Sequence, residues 1–424
     1  MQKFLLSLVA AVSPLASAQG APPASTSTSP AGASSSAVPS SMSLRQAIEV
    51  ALTRNPALAA AISEVDATGG ARLQAGTRPN PSLSYFLDDT RRETSTTTVQ
   101  INQPIELGGK RDARIAAADR GVEMARSDLQ ARRHEVRAAV VTAFFDLLAI
   151  QERGRVNAAS LALAQRSTLA ASQRVKAGKV SPVEETKARV AEAAVRIELS
   201  QVRGEEIAAR ARLGSAMGQR LGSTMLDGSL TDLPPLLAET TFQSRLDNAP
   251  ALQRAELEVE RRKALTALEN ARRVPDVTLS LGSKRDQQLG RNQTVIGLNI
   301  PLPVFDRNQG NILEALRRED KARDELLVVR SQIESEAVQA RERLAMSRIE
   351  AQSLAADVLP GAQSAFDAAT RGFELGKFSF LEALDAQRTL LQARTQYLRA
   401  LAEAHRASAD LNRILGIDVL SGIQ

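Results

Sequence analysis

The chain has 424 residues, enough for several ordinary cores, yet only 3% are aromatic, and Ala, Leu and Val are mixed with Arg, Glu and Gln in the pattern of long, closely packed helices. With no Cys and two His, it excludes disulfides, thiolate metal sites, a lipidated N-terminal Cys and a His-rich metal centre, and no cofactor is expected. The net charge of +6 comes from Arg and Glu interspersed at helical spacing without a companion set of stacking aromatics, so solvated helix faces are expected and no nucleic-acid partner.

At the N-terminus, Lys3, the apolar run Phe4 to Leu15 and Ala16-Ser17-Ala18 predict a secretory signal over 1–18. That run is too short to span a bilayer, and no later stretch is long and apolar enough to do so as a helix. If the mature chain enters a membrane, it must do so as strands. Residues 19–41, rich in Ala, Ser, Pro and Thr, read as a disordered linker.

Ser43 is placed to cap a helix to about Thr53, and Asn55-Pro56 to start another, to about Gln74. After the break Pro79-Asn80-Pro81, residues 82–105 read as a hairpin. Leu83, Tyr85, Leu87, Val99 and Ile101 alternate with Ser82, Ser84, Phe86, Gln100 and Asn102, around a charged loop from Asp88 to Ser95. From Leu107 to about Lys176 no proline intervenes; about 70 residues of helix at ~1.5 Å each would span ~100 Å. A turn follows, then Ser181-Pro182-Val183-Glu184, read as a capping box opening a helix from Pro182 to Met217.

The same order then recurs. Asn248, Pro250 and Leu252 repeat Asn55, Pro56 and Leu58; Pro275 repeats Pro79; Pro301 repeats Pro104; Gly376-Lys377 repeats Gly178-Lys179. The offset holds at roughly 194 to 198 residues, so one structural unit is written twice. The second copy predicts a hairpin over about 276–302 with a polar loop from Ser283 to Asn292. A long helix from about Gln309 to Leu375, kinked at Pro360, and a return helix from Phe380 to Leu415 follow. The organisation is therefore a first repeat 42–217, an irregular linker 218–240, a second repeat 241–416 and a tail 417–424.

Four strands with one apolar face cannot close a barrel, and open edges are not tolerated in lipid. Three chains supply about twelve strands, a workable barrel, continued by a ring of long helices. The expected fold is mainly α with a small β part. The protomer is a duplicated unit whose trimer forms a twelve-stranded β-barrel continued by an α-helical barrel. A soluble periplasmic coiled-coil scaffold or adaptor is the alternative of a different class. No nucleophile–base constellation and no phosphate loop is present, so no enzymatic activity is expected.

From about Ser43 to Gly416 these features resemble the TolC-type outer-membrane channel family. Glu106-Leu107-Gly108-Gly109-Lys110-Arg111 is similar to a signature of its heavy-metal branch, the CzcC/CnrC-like channels. The resemblance implies a homotrimer in outer-membrane lipid with a helical tube in the periplasm. It also implies a periplasmic adaptor and an inner-membrane RND-type pump as partners, and divalent cobalt, nickel, zinc or cadmium as cargo. A duct for organic compounds or secreted protein is the alternative within that fold. It implies adaptor contact at the helical tips Gly178, Lys179, Val180, Ser181 and Gly376, Lys377, Phe378, Ser379.

Glu382 and Asp385 stand where relatives carry carboxylates after the tip, three residues apart on one helix face. Repeated three-fold, such carboxylates would ring a constriction and favour cations. Glu382 has a competing role as the capping-box acid, and Asp385 as a partner of Arg388. Where some relatives place Tyr and Arg in a closing network, this chain has Phe373 and Phe378, so an apolar constriction is expected there. His134 and His405 lack paired ligands and are expected to be surface residues. Gly108-Gly109 also reads as a bend from strand into helix.

Overall fold

A computed structural model of the chain describes residues 41–222 and 224–418. The expected signal segment, the linker up to residue 40 and the last residues of the tail lie outside the described residues. Strand β1 (Ser41–Ser43) leads into α1 (Leu44–Arg54), capped by Ser43, to which Gln46 returns a bond at 3.0 Å. Asn55 caps α2 (Pro56–Ala75) through the Ala57 N–H at 2.8 Å, with Pro56 in the first turn, where its missing N–H costs nothing. The hairpin is β2 (Ser82–Asp88) and β3 (Thr96–Ile105). Helix α3 (Lys110–Lys176) runs 67 residues without a break, and α4 (Pro182–Met217) returns alongside it.

The second half follows the same plan through β4 (Met225–Asp227), α5 (Glu239–Leu246), α6 (Pro250–Arg272), β5 (Val277–Asp286) and β6 (Arg291–Asn299). It ends in α7 (Gln309–Ser353), α8 (Leu359–Glu374) and α9 (Phe380–Leu415).

Four local expectations need correction. The segment 218–240 is not wholly irregular, because β4 pairs in parallel with β1, Met42 opposite Leu226. The second hairpin loop is much shorter than Ser283 to Asn292: pairing continues to Asp286 and Arg291, and Gly290 at φ 65° closes the turn. The long second helix is not one continuous α-helix. A π-helical turn, Leu354–Val358, breaks it upstream, and Pro360 then sits harmlessly in the first turn of α8. Finally, Ser181 accepts from the Val183 N–H (3.3 Å) while the Glu184 N–H goes to the Ser181 carbonyl (2.9 Å), so no reciprocal box forms there. At Ser379 it does.

Helix α3 is the spine. It packs on α2 and α6 towards the sheet and on α4 and α9 towards the tips. One core collects Ile48, Phe144, Leu147, Leu213, Met217 and Leu401 where α1, α3, α4 and α9 converge. A second lies around Phe242, Leu246, Leu344, Leu411 and Leu415. On α9 the buried residues include Ala400, Ala402, Ala404, Ala407 and Ala409, side chains small enough to bring neighbouring backbones close. Exposed faces carry Arg–Glu pairs three or four residues apart, such as Arg189–Glu185 and Arg196–Glu192, each adding only a few tenths of a kcal/mol.

Candidate functional site

The hairpins join into one antiparallel sheet in the order β2-β3-β5-β6. Its register sets Leu83 opposite Ile101, Ile101 opposite Leu281, and Leu281 opposite Ile296. Tyr85, Leu87, Val99, Leu279 and Leu298 share that face by the alternation of strands, and all of these apolar side chains are exposed. Strands of 7 to 10 residues match or approach the length that crosses a hydrocarbon core when tilted. The opposite face is polar. Asn102 donates through Nδ2 to Ser84 Oγ (2.7 Å) and accepts from Ser280 Oγ (2.6 Å), tying three strands together. Strands β2 and β6 each leave one edge without a partner among the described residues.

Where the sheet meets the helices, the Glu106–Arg111 segment forms a clasp. Gly108 and Gly109 both have φ near 70°; a Cβ on Gly108 would come within 2.7 Å of Val274. The Lys110 ammonium bonds Asp276 Oδ1 at 2.6 Å, and the Leu107 N–H donates to the same oxygen at 3.3 Å. Arg111 donates to the Gly76 carbonyl (2.7 Å), and Arg114 to those of Ala75 and Thr77 (3.2 Å each), satisfying carbonyls left open at the end of α2. Arg114 also grips Glu106 with both terminal nitrogens, and this bond holds the Glu106 carboxyl below the usual carboxylate range. The clasp therefore fastens the first repeat to Val274 and Asp276 of the second.

At the far end, the two tips lie side by side. In one, Gly178 (φ 67°) turns the chain and the Lys179 N–H bonds the Arg174 carbonyl at 2.9 Å; Lys179 and Ser181 are exposed and Val180 is half-buried. In the other, Gly376 (φ 73°) turns the chain and the Lys377 N–H bonds the Gly372 carbonyl at 2.8 Å. Glu382 Oε2 accepts from the Ser379 N–H (2.7 Å) and hydroxyl (3.0 Å), so its carboxylate is engaged in the cap.

Of the pair expected at a constriction, Phe373 is buried inside the protomer. Its ring meets Phe380 edge-on at 5.8 Å and carries the Arg174 guanidinium 4.3 Å above it. Phe378 is half exposed, its ring lying over Gly372, where a side chain would collide with it. Asp385 is exposed and makes no ion pair among the described residues, with Arg388 or otherwise.

A family profile described as outer membrane efflux protein matches residues 47–219 and 241–417, one match per repeat. The chain belongs to the outer membrane efflux protein family. It is 46% identical over 376 residues to the cobalt-zinc-cadmium resistance protein CzcC of Cupriavidus metallidurans, covering 88% of this chain and 90% of that one. It is 27% identical over 300 residues to the nickel-cobalt-cadmium resistance protein NccC of Alcaligenes xylosoxydans xylosoxydans, covering 69% and 67%. In fold it superposes on the crystal structure of the outer membrane protein VceC of Vibrio cholerae with a TM-score of 0.74 at 19% identity, covering 88% of this chain and 96% of that one. Among the described residues no helix is long and apolar enough to cross a membrane, and the family is one of the outer membrane. The soluble-scaffold alternative falls with that assignment.

Sequence reasoning missed several residues of this outer membrane efflux protein. Arg174 donates to the Phe373 and Glu374 carbonyls (2.7 and 3.0 Å), tying α3 to the end of α8. Asp276 is the acid that Lys110 requires, 166 residues away. His405 is no surface residue: it is 5% exposed, stacks on Phe145 at 3.6 Å and bonds the Leu230 carbonyl at 3.1 Å. Burial lowers its pKa, against the opposing pull of the Leu230 carbonyl and Asp232. Among the described residues no group of three or more His, Cys, Asp or Glu gathers as a metal site.

Proposed function

We propose that this chain is the outer-membrane duct of a tripartite efflux system exporting divalent cobalt, nickel, zinc or cadmium. Three copies close the sheet into a barrel, and their helices form a tube through the periplasm. The observation that carries the cargo class is 46% identity over 88% of the chain to a cobalt-zinc-cadmium resistance protein. The duct performs no chemistry: an inner-membrane RND pump supplies the driving force, and a periplasmic adaptor seals pump to duct. The tips Gly178-Lys179-Val180-Ser181 and Gly376-Lys377-Phe378-Ser379 meet that adaptor, their backbone held by the turn bonds and the Lys179 and Lys377 side chains exposed for contact. Asp385 contributes a ring of negative charge at the constriction, with Phe378 beside it, whereas Glu382 spends its carboxylate on the cap.

A strain lacking the chain, grown across graded cobalt, nickel, zinc and cadmium with dyes and antibiotics in parallel, tests the assignment. Selective metal sensitivity, rescued by the intact chain, supports it and ranks the ions. Sensitivity to organic compounds alone keeps the duct and discards the metals. For the carboxylate ring, Asp385→Lys is expected to lower cation selectivity in single-channel bilayer recordings, and an unchanged reversal potential would remove Asp385 from the lumen.

A further inference from the structure

The polar face of the sheet is almost without charge. Side chains alternate between faces, and the register lines them up in rungs across the four strands. Moving from the helices towards the hairpin turns, the rung of Ser84, Gln100, Gly282 and Val295 is neutral. The next sets Phe86, Thr98, Lys284 and Gln293 side by side, and Lys284 is its one charge. The last, Asp88, Thr96, Asp286 and Arg291, carries mixed charge at the margin of the sheet.

The burial of β5 agrees with this placement. Gly282, Lys284 and Asp286 are half-buried, whereas Leu281, Ser283 and Arg285 between them are exposed on the apolar side. Lys284 makes no ion pair among the described residues, and the residues directly opposite it, Thr98 and Gln293, are uncharged. The duplication sharpens the point. Ser84 and Ser280 hold equivalent places, so Lys284 stands where the first repeat has Asp88. Strand β2 ends at Asp88, but β5 runs on to Asp286, which leaves the lysine one rung deeper than the carboxylates.

We infer that Lys284 sets the ion selectivity of the duct at its outer end, three copies of it forming a ring of ammonium groups in an otherwise uncharged stretch of the barrel. This rests on the trimeric duct reading above, in which the polar face lines the lumen and the hairpin turns point outwards. Twelve tilted strands about 4.8 Å apart put the wall roughly 10 Å from the axis. The Debye length at physiological salt is about 8 Å, so the field of the ring reaches the middle of the lumen. Lysine rings favour anions, and a divalent cation feels twice the potential energy of a monovalent one. Lys284 therefore opposes cation passage in both directions. Export against it is driven by the pump, and passive return of the metal from outside has no such drive.

The chain has no Cys, so Lys284→Cys introduces a single thiol. Full-length trimer is reconstituted in planar bilayers, and reversal potentials are read in gradients of potassium chloride and of cobalt chloride. The expected result for Lys284→Cys is a rise of about twofold in the cation-to-anion permeability ratio in potassium chloride, and a larger rise in cobalt chloride. A methanethiosulfonate reagent carrying trimethylammonium should restore the original ratio, and one carrying sulfonate should raise it further. Arg285→Cys, one residue along on the apolar face, should respond to neither reagent. Lys284→Gln should repeat the first shift without a thiol. Conducting channels whose reversal potential is unchanged in both Lys284 variants, or in which Arg285→Cys responds as strongly as Lys284→Cys, overturn the inference and leave the duct standing. If the unaltered chain forms no channels, the duct reading falls and takes the lysine ring with it.

Discussion

The return helices α4 and α9 are each 36 residues long, follow the same Gly-Lys turn, start at a Ser cap and end at a left-handed Gly. They meet opposite fates. Helix α9 lies between α3 and α7, and its Ala-rich stripe is buried. Helix α4 has α3 as its main neighbour and exposes Val183, Val190, Ile197 and Ile207. Position for position, His405 at 5% exposure answers Ile207 at 72%. Duplicating a unit within one chain creates one interior junction and leaves two outer edges. The same pattern of residues is core in one copy and unsatisfied surface in the other.

The tips show the same division, and two pairs of variants probe it, from the larger effect to the smaller. Phe373→Ala removes a buried ring and is expected to cost about 3–5 kcal/mol locally, whereas Val175→Ala at the equivalent, less buried place costs far less. Hydrogen exchange at the ends of α8 and α9 against those of α3 and α4 reads the contrast, and equal loss of protection in both variants would erase it. Glu382→Ala breaks a formed capping box and is expected to cost about 0.5–2 kcal/mol of helix stability. Glu184→Ala breaks none, so the same exchange measurement should barely move.

The smallest effect is pH-dependent. His405 has a folded pKa below its unfolded value of about 6.5, so the neutral ring is favoured in the folded chain. Below pH 6.5 the unfolded chain takes up the proton first, and stability is lost as pH falls from there towards the lowered folded value. The melting temperature should therefore fall between pH 7 and 5.5, and His405→Phe should flatten that slope. An unaltered slope in the variant would assign it to other groups.

Much of this fold was readable residue by residue. Asn55-Pro56 and Ser379 to Glu382 are helix starts whose hydrogen bonds close within three residues, and both form. The alternation of Leu83, Tyr85 and Leu87 with Ser82 and Ser84 fixed two faces of a strand before any partner was known. What failed involved more than local bonding. The π-turn before Pro360 and the β1–β4 pairing answer to packing against other elements. His405 looked like a solvated histidine because nothing near it in sequence announces Phe145 or Leu230.

The sequence by itself determined the duplication, many of the helix starts and the polarity of each strand face, because caps, turns and alternation act over a few residues. Only the tertiary structure decided that Asp276 receives Lys110, that Arg174 closes α8, and that Phe373 is buried within the protomer. It also decided that α9 is interior while α4, β2 and β6 are edges. Those outcomes depend on which of two similarly organised units lies next to which. Local periodicity does not encode that choice; burial and long-range pairing do.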